Sequence, residues 1–170
     1  VNAPPATAAT DTPAGSVAEL YAATYPRLVG ALTVACGSRA EAEDLVQEAF
    51  ARLLPRWRAV RTYDSPEAWV RMVAFRLASS RWRRARVAAR ALARIGEPAP
   101  ADPPYDARLD AERLLAGLPR AFREVLVLHH GLGLPVDDVA RELGIPAGTV
   151  KSRLSRARAA AAERGGDRDD

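Results

Sequence analysis

Residues Val136–Ala157 read VDDVARELGIPAGTVKSRLSRA. The spacing of small and apolar residues in this stretch decides how the C-terminal part of the chain folds. Val139, Ala140 and Leu143 recur at helical spacing and form the inner face of a short helix. Gly144 stands where the chain must turn sharply, a conformation glycine adopts without steric cost. Ile145, Val150, Leu154 and Ala157 form the inner face of a second helix. Ala140, Gly144 and Val150 have the separations of a helix-turn-helix: the alanine lets the helices approach, the glycine permits the turn, and the valine fills the angle between them. With those positions turned inward, Thr149, Lys151, Ser152, Arg153, Ser155, Arg156 and Arg158 fall on the outer face. Such side chains reach base edges and phosphates in a major groove. Gly148, near the helix start, lets the backbone approach a phosphate. An ordinary helical hairpin with a basic outer face shares the apolar pattern, but the spacing and surface chemistry together favour a DNA reader.

Upstream of this motif every strong pattern is also helical, so the expected fold is all-α. Helices are expected near Ala107–Ala116, Pro119–His130, Val136–Leu143 and Ala147–Arg164. Residues 95–106 hold Gly96, Pro98, Pro100, Pro103 and Pro104, which reads as a flexible linker dividing two small helical domains. The expected organisation is a disordered tail at 1–15, a first domain at 16–94, the linker at 95–106, the helix-turn-helix domain at 107–164 and a tail at 165–170. A linker of about 12 residues at about 3.5 Å each can hold the domains up to about 40 Å apart.

The first domain carries its own start signals. Ser16 with Glu19, and Ser38 with Glu41, fit capping boxes. Pro26 is expected to kink the first helix, and Gly37 to end it. Ala42, Leu45, Val46, Ala49, Phe50 and Leu53 mark a second amphipathic helix, weakened at its end by Pro55. A third begins with Ser65 as N-cap and Pro66 in the first turn.

That third helix is basic. From Ala68 to Arg94 there is no acidic residue, while Arg71, Arg76, Arg81, Arg83, Arg84, Arg86, Arg90 and Arg94 all fall there. The acidic residues Glu41, Glu43, Asp44 and Glu48 cluster on the helix before it. One basic and one acidic block point to two partners, one of them polyanionic. At about 100° per residue, Trp69, Val70, Val73 and Leu77 make a core stripe, and Phe75 and Trp82 lie at about 220–240°, beside the arginines. Aromatics among arginines suit stacking on unpaired bases; packing on a neighbouring helix is the alternative. Position alone does not choose for Phe75. For Trp82 the nearby basic cluster favours DNA.

Net charge is +4, and Cys36 is the single cysteine, so no internal disulfide forms. No apolar run approaches the roughly 20 residues of a membrane span, and the N-terminal stretch lacks the basic and apolar parts of a signal peptide. The expected compartment is the cytoplasm. His129 and His130 are adjacent and point about 100° apart on a helix, unlike an i, i+4 metal pair. With no nucleophile motif or phosphate loop beside them, no cofactor, small-molecule substrate or catalytic residue is expected.

The chain resembles an extracytoplasmic-function sigma factor of the sigma-70 family, in the style of actinobacterial sigma-E-like members. Ala42-Glu43-Asp44-Leu45-Val46-Gln47-Glu48-Ala49-Phe50 is similar to the family's polymerase-binding region 2. Ser65-Pro66-Glu67-Ala68-Trp69-Val70 and the arginines after it resemble the −10 recognition helix. Leu118-Pro119-Arg120 through Leu128, then Gly144 to Arg158, resemble region 4. Val73-Ala74-Phe75-Arg76 stands where the family usually has Ile-Ala-Arg-Asn, so no −10 base choice is carried over. The resemblance implies a non-catalytic subunit that binds core RNA polymerase and directs promoter recognition and transcription initiation. It implies core contacts by Asp44, Gln47 and Glu48, −10 contacts by Arg71, Phe75, Arg76, Trp82 and Arg83, −35 contacts by the outer face from Thr149 to Arg158, and a separate anti-sigma protein. A stand-alone helix-turn-helix regulator is the rival; it leaves the acidic helix around Asp44 and Glu48 without a task.

Overall fold

A computed structural model describes residues 15–94 and 115–166. The described chain is all helical. Helix α1 is Val17–Cys36. Its capping box forms as expected: the Glu19 amide donates to Ser16 Oγ at 3.1 Å and the Ser16 amide to the Glu19 carboxylate at 3.0 Å. Pro26 lies within α1, and Gly37 ends it with a left-handed φ of 84°. Helix α2 is Arg39–Leu53. Here only half of the expected box forms. The Glu41 amide donates to Ser38 Oγ, but the Glu41 carboxylate is taken by Arg120 at 3.0 Å, from the other half of the chain. Beyond α2, Pro55 sits in a 3₁₀ turn, Leu54–Arg56. A single helical turn, α3 (Trp57–Val60), follows. Helix α4, Pro66–Arg94, spans 29 residues, and Ser65 Oγ accepts the Ala68 amide at its start.

Helix α5 is Arg120–Leu126 and passes directly into a π-helical turn, Val127–Gly131. The turn closes when the Leu132 and Leu134 amides donate to the carbonyls of Val127 and Leu128. Helices α6 (Val136–Leu143) and α7 (Ala147–Gly166) are the helix-turn-helix pair. Gly144 joins them at φ 66°, ψ 39°, and Val139, Ala140, Leu143, Val150, Leu154 and Ala157 are all buried, as the spacing predicts. The expected linker at 95–106, most of both tails, and most of the helix expected at Ala107–Ala116 lie outside the described residues; Gly165 and Gly166, expected in the C-terminal tail, are the last residues of α7.

The two halves are not held apart. Helix α1 packs on α5 and the π turn, and α4 packs on α6 as well as on α1 and α2. One continuous cluster of buried side chains runs from Leu32, Leu45 and Val70 in the first half to Val125, Leu128 and Val139 in the second. The sequence measures how far a linker could reach; the polar side chains that draw the halves together are described below.

No neighbour lies within 4 Å of a Cβ built on Gly144, so substitution there costs only backbone strain. Left-handed backbone costs a non-glycine residue about 1–2 kcal/mol. Gly144→Ala should therefore lower the melting temperature by about 2–8 °C with unchanged helical content, as followed by circular dichroism.

Candidate nucleic-acid interface

On α7 the buried Val150, Leu154 and Ala157 force the opposite face outward. Lys151, Ser152, Ser155, Arg156 and Arg158 are exposed, and Thr149 and Arg153 are half-buried. All seven residues expected at the major groove are thus on one helix, and five are open to solvent. Ser152 Oγ donates back to the Thr149 carbonyl at 3.0 Å, so that hydroxyl is engaged within the helix. Arg153 leans inward, close enough for its charge to act on the buried Glu124.

The expected −10 residues divide along α4. Arg76 and Arg83 are exposed, and Trp82 is half-buried with the Arg86 guanidinium 4.7 Å above its ring centre. This cation–π pair leaves Trp82 near the surface among arginines, as expected for a stacking residue. Phe75 and Arg71 depart from expectation. Phe75 has no exposed surface, and Arg71 is only 9% exposed. A fully buried ring cannot stack on a base, so the packing alternative for Phe75 describes this structure. The cause is α6. Arg71 and Phe75 are one turn apart on the same side of α4, and the Arg71 guanidinium meets the Glu142 carboxylate of α6 at 2.8 and 2.9 Å. Arg76 is held too, donating to the carbonyls of Glu142 at 3.1 Å and Arg141 at 2.9 Å.

A second set of polar contacts lies at the other end of this seam. Arg123 donates to the Ala35 carbonyl at 3.1 Å and the Leu118 carbonyl at 2.8 Å, and reaches the Cys36 carbonyl. It thereby satisfies carbonyls at the end of α1 that have no partner within the helix. Arg120 donates to Cys36 Sγ at 2.8 Å as well as to Glu41. Ser79 of α4 donates to the buried Glu124. Burial pushes the Glu124 and Glu142 carboxyls above the ordinary carboxylate range, against the pull of Arg120 and Arg71 respectively. Glu142 Oε2 and Thr24 Oγ1 are buried without a hydrogen-bond partner. Sequence reasoning missed Glu142, Glu124, Arg120 and Arg123. As charged residues flanking the apolar faces of short helices, they carry no signal that tells a buried partner from water.

The acidic helix is less uniform than its sequence suggests. Asp44 and Gln47 are exposed. Glu48 is half-buried and bonded to Arg52 at 2.7 Å and to Arg81 of α4 at 2.6 Å. Partial burial alone would raise the Glu48 carboxyl, but the hydrogen bonds from Arg81 and Arg52 outweigh it and hold the group below its ordinary value. Glu48 therefore ties α2 to α4, and its charge is paired within the fold.

His129 Nδ1 lies 2.7 Å from the Leu134 carbonyl and closes the π turn. The two histidine rings meet edge to face. Among the described residues no group of three or more His, Cys, Asp or Glu could hold a metal ion, and no helix is long and apolar enough to cross a membrane.

Two family descriptions match this architecture half by half: sigma-70 region 2 over residues 20–87 and sigma-70 region 4 over residues 108–160. The RNA polymerase sigma-E factor of Streptomyces coelicolor is 35% identical over 124 residues, covering 69% of this chain and 67% of the relative. The ECF RNA polymerase sigma factor SigE of Mycolicibacterium smegmatis is 34% identical over 133 residues, covering 72% of this chain. The chain spans 51% of the length of that relative, and 33% of the probable RNA polymerase sigma factor RfaY of Xanthomonas campestris. The sigma factor RpoE of Bartonella quintana, solved in complex with the anti-sigma factor NepR, shares the fold with a TM-score of 0.61 at 23% identity, covering 84% of this chain and 92% of that one. The chain belongs to the sigma-70 family. Within it, it is a member of the extracytoplasmic-function group, similar to actinobacterial sigma-E factors.

Cys36 offers a native reporter of the seam. Burial pushes its thiol up to about 12, and the thiolate is the reactive form. At pH 8 iodoacetamide should leave Cys36 of the folded chain unmodified over a period that fully alkylates the denatured chain; equal rates by mass spectrometry would contradict the burial.

Proposed function

We propose that this chain is a non-catalytic promoter-recognition subunit of RNA polymerase, acting where the polymerase acts, in the cytoplasm. The observation that carries the reading is the α7 surface: an exposed row of Lys151, Ser155, Arg156 and Arg158 set over a buried Val150-Leu154-Ala157 face, in a chain that also has the region-2 half. In this reading α7 reads the −35 element through the major groove, and Thr149, Ser152 and Arg153 add contacts at its margins. The arginines and Trp82 of α4 take phosphates and unstacked bases of the −10 element, with Arg71 and Arg76 joining once they are uncovered. Asp44 and Gln47 on α2 meet a basic surface of core polymerase, with Glu48 contributing its free edge. Strand opening belongs to the N-terminal half and phosphodiester chemistry to the core enzyme. Two modest DNA-reading surfaces gain specificity by being linked on one polymerase. The Bartonella quintana factor is bound by an anti-sigma protein, and a separate protein of that kind is the expected regulator here. A stand-alone regulator would need neither the exposed Asp44–Gln47 edge nor the region-2 half.

Transcription by sigma-free core polymerase, with and without the protein, tests the reading. Promoter-specific transcripts should require the chain, and their absence over a panel of genomic promoters would refute it. Arg156→Ala removes an exposed, potentially bidentate base contact, at a cost of about 1–3 kcal/mol. Occupancy of −35-dependent promoters should fall about five- to 150-fold while core binding is retained.

Asp44 is exposed and makes no ion pair among the described residues, so Asp44→Arg tests the polymerase edge without loosening α2 from α4. Rim charges act mainly on association rate and salt response. The variant should melt like wild type, yet associate with core more slowly and with a flatter salt dependence, as measured by surface plasmon resonance. Unaltered kinetics would move the interface away from this edge.

A further inference from the structure

The recognition helix does not carry its charge alone. Arg158 is exposed on α7, which packs on α5. His130, the exposed member of the histidine pair, stands close enough to Arg158 for that charge to act on it. Among the described residues neither side chain has a hydrogen bond or an ion pair. Resting on the promoter-recognition reading, we propose that His130 and Arg158 form one anion site, which holds a backbone phosphate of the duplex read by α7 between the recognition helix and the π turn. Phosphate contacts fix the register of a reader on its duplex without reading sequence, so the site sets how α7 enters the groove.

The π turn prepares His130 for this task. A π-helical turn is a rare local widening of a helix and occurs mostly at functional sites; Val127–Gly131 takes that form at the end of α5. His129 Nδ1 lies 2.7 Å from the Leu134 carbonyl. A carbonyl only accepts, so Nδ1 carries the proton and the His129 ring is tethered. The His130 ring meets it edge to face, with 4.6 Å between centres and 63° between planes. A tethered imidazole thus supports an untethered one, whose two nitrogens are left for a ligand.

Protonation is linked to binding at such a site. Partial burial, the neighbouring His129 and the Arg158 charge each hold His130 below the ordinary histidine value. Among the described residues no charged group of α1 or α6, which also pack on the turn, acts on it. The free chain therefore keeps His130 neutral near neutral pH. A phosphate between His130 and Arg158 opposes the arginine's field and favours the imidazolium, so DNA binding takes up a proton. Because the His130 value is higher in the bound form, the added affinity is complete below the free-chain value. It is lost as pH rises through the bound-chain value.

The test uses the whole chain without polymerase. Anisotropy of a short fluorescent duplex of mixed sequence is measured at constant ionic strength, at about pH 6 and about pH 8, on either side of histidine titration. Wild type should bind about three- to tenfold more tightly at the lower pH, the gain expected when one phosphate raises one histidine by up to about one pH unit. His130→Gln keeps a polar side chain that cannot titrate there. It should lose the gain and bind at both values as wild type does at the higher pH. His130→Arg carries a permanent charge. At the higher pH it should bind at least as tightly as wild type does at the lower, with a slope of log K against log salt steeper by about 0.9 than that of His130→Gln. A His130→Gln chain with the wild-type pH dependence assigns the proton to another group and overturns the proposal. So does a His130→Arg chain that binds no better than His130→Gln. If circular dichroism shows one variant to be unfolded, the other decides by the same comparison with wild type. Promoter-specific transcription with core is scored separately. Duplex binding linked to His130 in a chain that directs no transcription sinks the promoter reading and leaves the phosphate site standing; transcription with pH-independent duplex binding sinks the site alone.

Discussion

A helix that is apolar around most of its circumference at one end needs cover on more than one side, and α4 is such a helix. Trp69, Val70, Arg71, Ala74, Phe75, Leu77 and Ala78 are all buried. With Trp69 at zero, the buried arc runs from 0° to about 240°. Helices α1, α2 and α6 all pack on α4, and α1 packs on α5 and the π turn, so the C-terminal half is positioned by two sets of contacts. The same helix changes character after Ser80, where the run from Arg83 to Ala88 is exposed. Buried and exposed stretches are therefore separated along the length of α4 rather than around it.

The seam between the halves shares their continuous apolar cluster and adds polar contacts to it. Within each half the core is Leu, Val, Ala and Phe at full burial. Across the seam the named contacts are arginines bonded to carboxylates and to helix-end carbonyls. Such bonds fix orientation: removing one partner strands the other, whereas the pair as a whole adds little net stability over water. The apolar cluster joins the halves, the polar contacts specify how they dock, and Glu41 gives up its own helix start to meet Arg120.

What was legible in the sequence was periodic or local. The helix-turn-helix, its glycine corner, the Ser16 box and the Ser65 cap follow from spacing over a few residues, and the physics that fixes them acts at that range. What was not legible depends on a neighbour on another element, 33 residues away for Glu48 and 71 for Glu142. The helical wheel placed Phe75 beside the arginines, but its full burial is decided by packing partners that the wheel does not contain. Glu48 has the spacing of a repulsive pair with Asp44, and its neutralisation by Arg81 comes from the next long helix. The role of Glu142 could not be read at all, because a glutamate beside an apolar face has the same appearance whether it meets water or a guanidinium. Exposure of Asp44, Gln47, Lys151 and Arg156 was legible for the converse reason: it needs only that their own helix bury its opposite face.

The near-absence of lysine bears on the same seam. Of 25 basic residues only Lys151 is a lysine, and it sits on the exposed face of α7, where a flexible, hydrated point charge suits a phosphate. Every cation in the seam is an arginine. Arg123 shows why the substitution would not be neutral: its three nitrogens reach the carbonyls of Ala35, Cys36, Ala116 and Leu118, from a side chain that stays charged when buried. An ammonium has fewer donors in a less fixed geometry and loses its charge more readily on desolvation. Arg76 likewise spans two successive carbonyls at the end of α6, a reach that depends on the planar fork. The planar fork that lets arginine close the seam is what lets Arg71 and Arg76 engage a carboxylate and two successive carbonyls at the end of one short helix.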